Sequence, residues 1–326
     1  MRTAIVAAAV LALTSSAFAS DGLTFKKVKE LAVPGASGFD LLSADVPSRR
    51  LFVAHSTLIE VIDLDKGEKI GAVEGLEGAH MAVLVPDLKR GFATEGKKNK
   101  IVVFDSDSYK ATKELGTGEG PDALLYVTAP KEVWVMNHKG GTITCVDAAS
   151  LEIKATIEVG GKLELATEYA AKGLVFVNVE DKSTVVSIDA KKHSVVSTYP
   201  LDPAAEPTGI AIDERNGILF CGCAGKMAVL DAASGKILTT LPIGAHCDSV
   251  VFDAEKGLAF ASCGDGTTAV VREADPKTFE VVSKLETAPG GKTCALDTKT
   301  HRLWVAAGTK GKDDLRVLEF AAEPAK

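Results

Sequence analysis

Short apolar runs, each closed by an acid, recur along this chain at a nearly constant step. EVID, VVFD, TCVD, VSID and AVLD end at Asp63, Asp105, Asp147, Asp189 and Asp231, each 42 residues after the last. VVRE ends at Glu273 one step further on, and RVLE ends at Glu319 after 46 residues. A second apolar run in each copy carries one aromatic, at Phe52, Phe92, Trp134, Phe176, Phe220, Phe260 and Trp304. Only a few polar or glycine residues part the two runs, as in HSTL from His55 or HKGG from His138, which fits two strands joined by a hairpin. Each copy adds a strand before the aromatic (LLYV from Leu124, GIAI from Gly209, SVVF from Ser249) and one after the acid (IKATIEV from Ile153, ILTTLPI from Ile237). The pattern therefore predicts four strands per copy and seven copies.

Four-stranded units of about 40–45 residues in tandem are the signature of a β-propeller. The expected fold is all-β: a seven-bladed propeller of antiparallel blades filling residues 20–326 as one domain. Blades are expected near 36–75, 76–118, 119–161, 162–203, 204–244, 245–290 and 291–320. The last copy lacks a fourth strand of its own and would leave an open edge. LTFKKVKELAV, residues 23–33, is expected to supply it and shut the ring. The repeated acids are read as turn formers, because a carboxylate in DAASGK or DLDKGE can accept a backbone N–H two residues on. The repeated aromatics are read as core.

At the start of the chain, Arg2 precedes an apolar stretch over residues 4–13 and then Ala17-Phe18-Ala19, an A-x-A cleavage pattern. Residues 1–19 are thus a predicted signal peptide, with the mature chain beginning at Ser20. The stretch is too short to span a bilayer, and no later segment approaches the required apolar length. A periplasmic location is expected, with secretion beyond it as the alternative. Loss of Arg2 with the leader takes the formal charge from −7 to −8. An acidic exported protein is a poor nucleic-acid binder, and the lysine pairs are scattered over different copies. A closed ring with paired edges is expected to be a monomer.

The tetrapeptide Trp134-Val135-Met136-Asn137 is similar to the Tyr-Val-Thr-Asn sequence that names the YVTN-type seven-bladed propellers. EPTGIAIDERNGILF from Glu206, SVVFDAEKGLAFAS from Ser249 and VVREADPKTFEVV from Val270 resemble the exported YncE-like branch. The resemblance spans the mature chain and implies an exported binding or scaffold protein of unassigned ligand. The other copies carry His55, Glu95, Val179, Cys223, Cys263 and Ala307 at the Asn137 position.

Candidate chemistry follows from the topology. In a propeller the inner strands start around the mouth of the central channel, and counting back 12 residues from each aromatic gives Asp40, His80, Asp122, Glu164, Thr208, Asp248 and Lys292. All seven are polar. Loops at the same face are expected to bring His55, Glu95, Asn137, His138 and His246. A bland reading is that a wet channel mouth accepts any hydrophilic residue. The sharper one is that Asp40, His80, Asp122, Glu164 and Asp248 hold a divalent cation or a cationic small ligand. His193 and His301 fall in hairpins on the opposite side and are read as surface residues.

Six cysteines are present. Cys145, Cys221 and Cys294 stand at apolar strand positions and are read as buried thiols. Cys247 is expected opposite Cys263, a disulfide candidate, with Cys223 as the competing partner. A metal site of these three with His246 is the remaining option. The chain has no GxSxG, CxxCH, Walker loop or GxGxxG after a strand, and no cofactor is expected beyond the divalent cation. Two function classes compete: binding of a small molecule or protein at the mouth, and a metal-dependent hydrolase or lactonase with His80 as general base. Docking to a redox enzyme is a third, without a cofactor-attachment residue behind it.

Overall fold

The computed structural model describes residues 23–35, 38–309 and 311–323. The predicted signal peptide lies outside the described residues. Seven four-stranded antiparallel sheets follow one another around a ring. Within each blade the strands are lettered a to d from the channel outwards. The a strands are Leu42–Asp45, Ala79–Val85, Pro121–Val127, Leu163–Tyr169, Gly209–Asp213, Cys247–Asp253 and Thr293–Asp297.

The expected closure is present. Strand Thr24–Ala32 pairs with Arg316–Glu323, in register from Thr24 opposite Glu323 to Ala32 opposite Arg316. It is the outermost strand of the seventh sheet, so the ring has no unpaired internal edge. Phe25 of this strand meets Phe260 of blade 6 edge-on, ring centroids 5.4 Å apart. Arg49 of blade 1 forks onto Asp297 of blade 7 with bonds of 2.7 and 2.6 Å, tying the first blade to the last.

The aromatic of each b strand is buried in the seam shared with the next blade. Trp134 packs against Val177 and Ile188 of blade 4, Phe176 against Leu219 and Leu230 of blade 5, and Trp304 against Leu51 and Ile62 of blade 1. All seven are at most 1% exposed. Alternation along the strand sends one face of each blade into each neighbouring seam, and the large ring fills the space that opens between twisted sheets. The core is thus a circle of seams and not a single centre.

The repeated acids do close turns, in five copies. Oδ1 of Asp63, Asp105, Asp147 and Asp189 accepts two successive backbone N–H bonds, the second from the residue three on. Asp231 accepts from Ser234. Glu273 and Glu319 do otherwise, since a longer side chain overreaches the local turn. Glu273 accepts from Asn216 and buried Glu319 from Arg302.

Candidate functional site at the channel mouth

Irregularities in the inner strands aim the mouth residues. Pairing of strands a and b shifts register between Ala79 and Ala82, Pro121 and Leu124, Leu163 and Ala166, and Cys247 and Ser249. His80, Asp122, Glu164 and Asp248 fall inside those intervals. A bulged residue is released from the ladder and its side chain can be re-aimed. In the other blades the equivalent residues, Asp40, Thr208 and Lys292, stand just before the strand begins. Side-chain bonds between blades hold the irregular segments. The Thr94 hydroxyl accepts from Met81 N–H and donates to the Asp122 carbonyl, and Thr293 donates to the Asp40 carbonyl.

Six of the seven residues found by counting enclose one cavity of ≈ 460 Å³: Asp40, His80, Asp122, Glu164, Asp248 and Lys292. His138 joins them, with Lys97 and Lys139 at the wall. Thr208 does not, because its hydroxyl is spent on the Cys247 carbonyl. Immediately along the same strands the channel turns apolar, where Leu42, Met81, Leu165, Ile210 and Val250 line a second space of ≈ 350 Å³.

The mouth residues divide into three ionic groups. His80 Nδ1 lies 2.5 Å from Asp40 Oδ2 and 3.1 Å from Asp122 Oδ1, so one ring nitrogen serves two carboxylates. His138 Nδ1 lies 3.0 Å from Glu164 Oε1. Lys292 donates to Asp248 and stands 3.7 Å from Asp40. The expected five-residue cation cage is therefore not one cluster: Glu164 and Asp248 are engaged by His138 and Lys292. Asp40, His80 and Asp122 remain together, their ligand-type atoms within 4.8 Å of one another. A second such group is His138, Glu164 and Glu180.

Burial sets the proton affinities. Desolvation, reinforced by the Asp40 charge, pushes the Asp122 carboxyl up to about 7. Desolvation also raises Glu164 and Asp248, against the pull of His138 and Lys292 respectively. His80 is raised even though burial opposes its charge, because Asp40 and Asp122 outweigh that cost. The bond that His138 donates to Glu164 raises His138. Acids and imidazoles both shifted toward their protonated forms make a surface richer in hydrogen-bond donors than the same side chains would be in water.

Glycines make room for this arrangement. A Cβ on Gly96 would fall 2.5 Å from His80 Nε2, so any side chain there would displace the ring.

Four expected mouth residues lie elsewhere. Glu95 is buried, its Oε1 accepting the Glu77 N–H and standing 3.1 Å from Lys98 Nζ. His55 is buried within blade 1 with Nε2 3.3 Å from Glu60. Asn137 is buried and donates to Thr142 and Thr144 of the next strand. Both end a b strand, where alternation points the side chain into a seam and not toward the axis. His246 is exposed on the loop before blade 6, outside the cavity wall. The two opposite-face histidines are more than surface residues, since each meets a buried carboxylate: His193 with Glu132 at 2.8 Å and His301 with Asp253 at 2.7 Å.

Cys247 does lie directly opposite Cys263, and both are free thiols in this structure. Both face the seam between blades 5 and 6, whereas Cys223 packs with Cys221 in the preceding seam. Cys223 is thus on the wrong side of its blade to compete. The ligand-type clusters among the described residues do not include these thiols with His246.

No family model matches this sequence, and neither does any curated protein. Solved structures do match in shape. A chain from a structure described as that of the Mitotic Checkpoint Complex superposes with a TM-score of 0.77 at 13% identity, covering 98% of this chain and 99% of that one. A chain of the hydrazine synthase of Kuenenia stuttgartiensis superposes with a TM-score of 0.76 at 10% identity, covering 91% and 98%. At such identities the likeness establishes the propeller fold alone. Among the described residues no helix is long and apolar enough to cross a membrane.

Proposed function

We propose that this chain is an exported, periplasmic propeller of the YVTN/YncE-like kind that works by binding, taking a small molecule or a protein segment at the channel mouth. The supporting observation is the mouth itself, where charged side chains from six blades converge on one cavity of ≈ 460 Å³. Few convergent polar groups in a concave site are what recognition requires. Lys292 and the two imidazoles offer donors beside four carboxyl groups, which suits a polar ligand carrying both hydrogen-bond donors and acceptors.

The test is a small-molecule panel read by thermal shift on the mature protein. A ligand of this site raises Tm in the wild type and loses most of that shift in His80→Ala and in Asp122→Ala. A ligand whose shift survives both changes binds elsewhere and contradicts the assignment. Export is checked separately by N-terminal sequencing of the protein from a periplasmic fraction, with Ser20 as the expected first residue.

A second reading, a metal-dependent hydrolase or lactonase, draws on the Asp40, His80 and Asp122 cluster. There Asp40 and Asp122 would hold a divalent cation and His80 would act as general base. Lys292 beside Asp40 argues against it, because the ammonium already supplies the positive charge. Turnover of esters or lactones that depends on calcium and disappears in His80→Ala would establish it over binding alone.

In an oxidising compartment we expect Cys247 and Cys263 to bridge. Alkylation with and without reductant, read by mass, decides: if both thiols react fully without reductant, the bridge is absent.

A further inference from the structure

A second set of ligand-type side chains sits in the seam between blades 3 and 4, at the face opposite the mouth. Glu132 opens the b strand of blade 3 and Trp134 follows on the same side, with Cys145 directly across from Trp134 on the c strand. His193 reaches over from the c–d hairpin of blade 4, between Thr184–Asp189 and Ser194–Pro200, and lies against the Trp134 ring with centroids 5.9 Å apart. Its Nε2 is 2.8 Å from Glu132 Oε2, which also accepts the Trp134 indole N–H at 2.9 Å. Ligand-type atoms of Glu132, Cys145 and His193 all lie within 4.8 Å of one another.

Comparison of the repeats shows that this seam is exceptional. At the place of Cys145, opposite the core aromatic, other blades have Val61, Val103, Ser187, Val229, Val270 and Glu319. At the place of Glu132 they have Arg50, Arg90, Leu174, Ile218, Leu258 and Arg302, and at the place of His193 the first, second, third and fifth copies have Gly67, Tyr109, Leu151 and Gly235. Only here do a carboxylate, a thiol and an imidazole coincide. Burial adds to the contrast: Glu132 is 4% exposed and Cys145 0%, while the 21% exposed His193 side chain borders solvent and gives a way in. A buried carboxylate needs compensating partners, and here the indole N–H and the His193 ring converge on one Glu132 oxygen.

We propose that Glu132, Cys145 and His193 form a binding site for a zinc-class divalent cation, with the fourth position open to water. One sulfur, one imidazole nitrogen and one carboxylate oxygen match the donor preference of zinc and not that of calcium or magnesium. Burial, aided by the Glu132 charge, holds the Cys145 thiol protonated. Binding therefore releases the thiol proton to solvent as the sulfur–metal bond forms, and the proton shared between His193 Nε2 and Glu132 leaves that nitrogen, with Nδ1 keeping the ring N–H; affinity rises with pH. The ion would pin the blade 4 hairpin onto blade 3, independently of what the mouth binds.

Cobalt(II) titration of the chelator-treated, reduced full-length mature protein tests this. A sulfur ligand produces a thiolate-to-cobalt charge-transfer band in the near ultraviolet that the sulfur-free mouth cluster cannot produce. The expected result is a band saturating at one cobalt per chain, displaced by zinc, and absent in Cys145→Val. Valine is the repeat's own residue at this place in four blades, so that variant should keep the fold, as circular dichroism will verify. His193→Gln should weaken cobalt binding at least tenfold. A folded wild type that gives no band, or a band that persists in Cys145→Val, overturns the site.

Discussion

Carboxylates at the two ends of these blades behave in opposite ways. On the turn face Asp105, Asp147, Asp189 and Asp231 are held below the usual carboxylate range, led by the Ser108 hydroxyl, the Ser150 N–H, the Lys192 ammonium and the Ser234 hydroxyl respectively. At the mouth Asp122, Glu164 and Asp248 are all raised, and burial is the leading cause in each. Donors at a wet turn favour the ionised form, whereas a desolvated carboxyl beside other acids favours the proton. The direction of the shift thus separates these four turn acids from the acids gathered around the mouth, where perturbed groups accumulate in binding sites; Glu273, the repeat acid that does not close its own turn, is itself raised to about 7, with burial the leading cause.

The contrast breaks most visibly where a buried acid has a cation of its own. Arg49→Ala strips Asp297 of its bidentate partner in a site where the Asp297 side chain is 1% exposed. A loss of about 3–5 kcal/mol is expected in urea unfolding, and a loss below about 1 kcal/mol would mean that the Lys299 N–H and the Thr300 hydroxyl suffice to hold the carboxylate.

Asp122→Asn acts in the other direction. With its carboxyl at about 7 in the fold against an ordinary 3.8, the folded state binds the proton more tightly. Its contribution is fully present at low pH and declines as pH rises between those values. His80, also raised, contributes stability that is full below its ordinary 6.5 and is lost as pH climbs through its folded value. Both groups weaken the fold toward alkaline pH. The asparagine should flatten the fall in stability between pH 5 and pH 8, by about 1–3 kcal/mol, as read by unfolding midpoints at each pH. An unchanged slope would remove Asp122 from the account.

The smallest effect belongs to a single turn. Asp147→Ala should cost about 1 kcal/mol at neutral pH. Because the Asp147 carboxyl is lowered, its contribution is present above the ordinary 3.8 and disappears as acid titrates it through its folded value. The variant and wild type should therefore converge in stability as the pH is taken down past the ordinary 3.8 and through the lower folded value.

Much of this was legible from residues alone. Spacing gave the blades, the closing strand over residues 23–33 and the buried ring aromatics, because in a repeat each signal is read several times over. Counting from the aromatics also reached His80, Asp122, Glu164 and Asp248, since one fold places equivalent residues alike. Partner choice was not legible. Nothing in the order of residues says that Lys292 turns to Asp248 or that His80 bridges two carboxylates from neighbouring blades. His55 and Asn137 misled for a related reason. Both share the mouth-side end of a strand with true wall residues, but strand alternation buries them against Glu60 and against Thr142 and Thr144. His193 needed the adjacent blade to reveal Glu132.

Infrared difference spectroscopy across a pH titration tests the central claim most directly, that the mouth holds a proton on the buried Asp122 carboxyl near neutrality. Because Glu273 is also raised to about 7, the readout is the difference between wild type and Asp122→Asn: a protonated carboxyl C=O stretch lost in the variant, present at pH 6 and vanishing with a midpoint near 7. Identical wild-type and Asp122→Asn spectra above pH 5 would contradict the claim and leave Asp122 an ordinary ionised carboxylate.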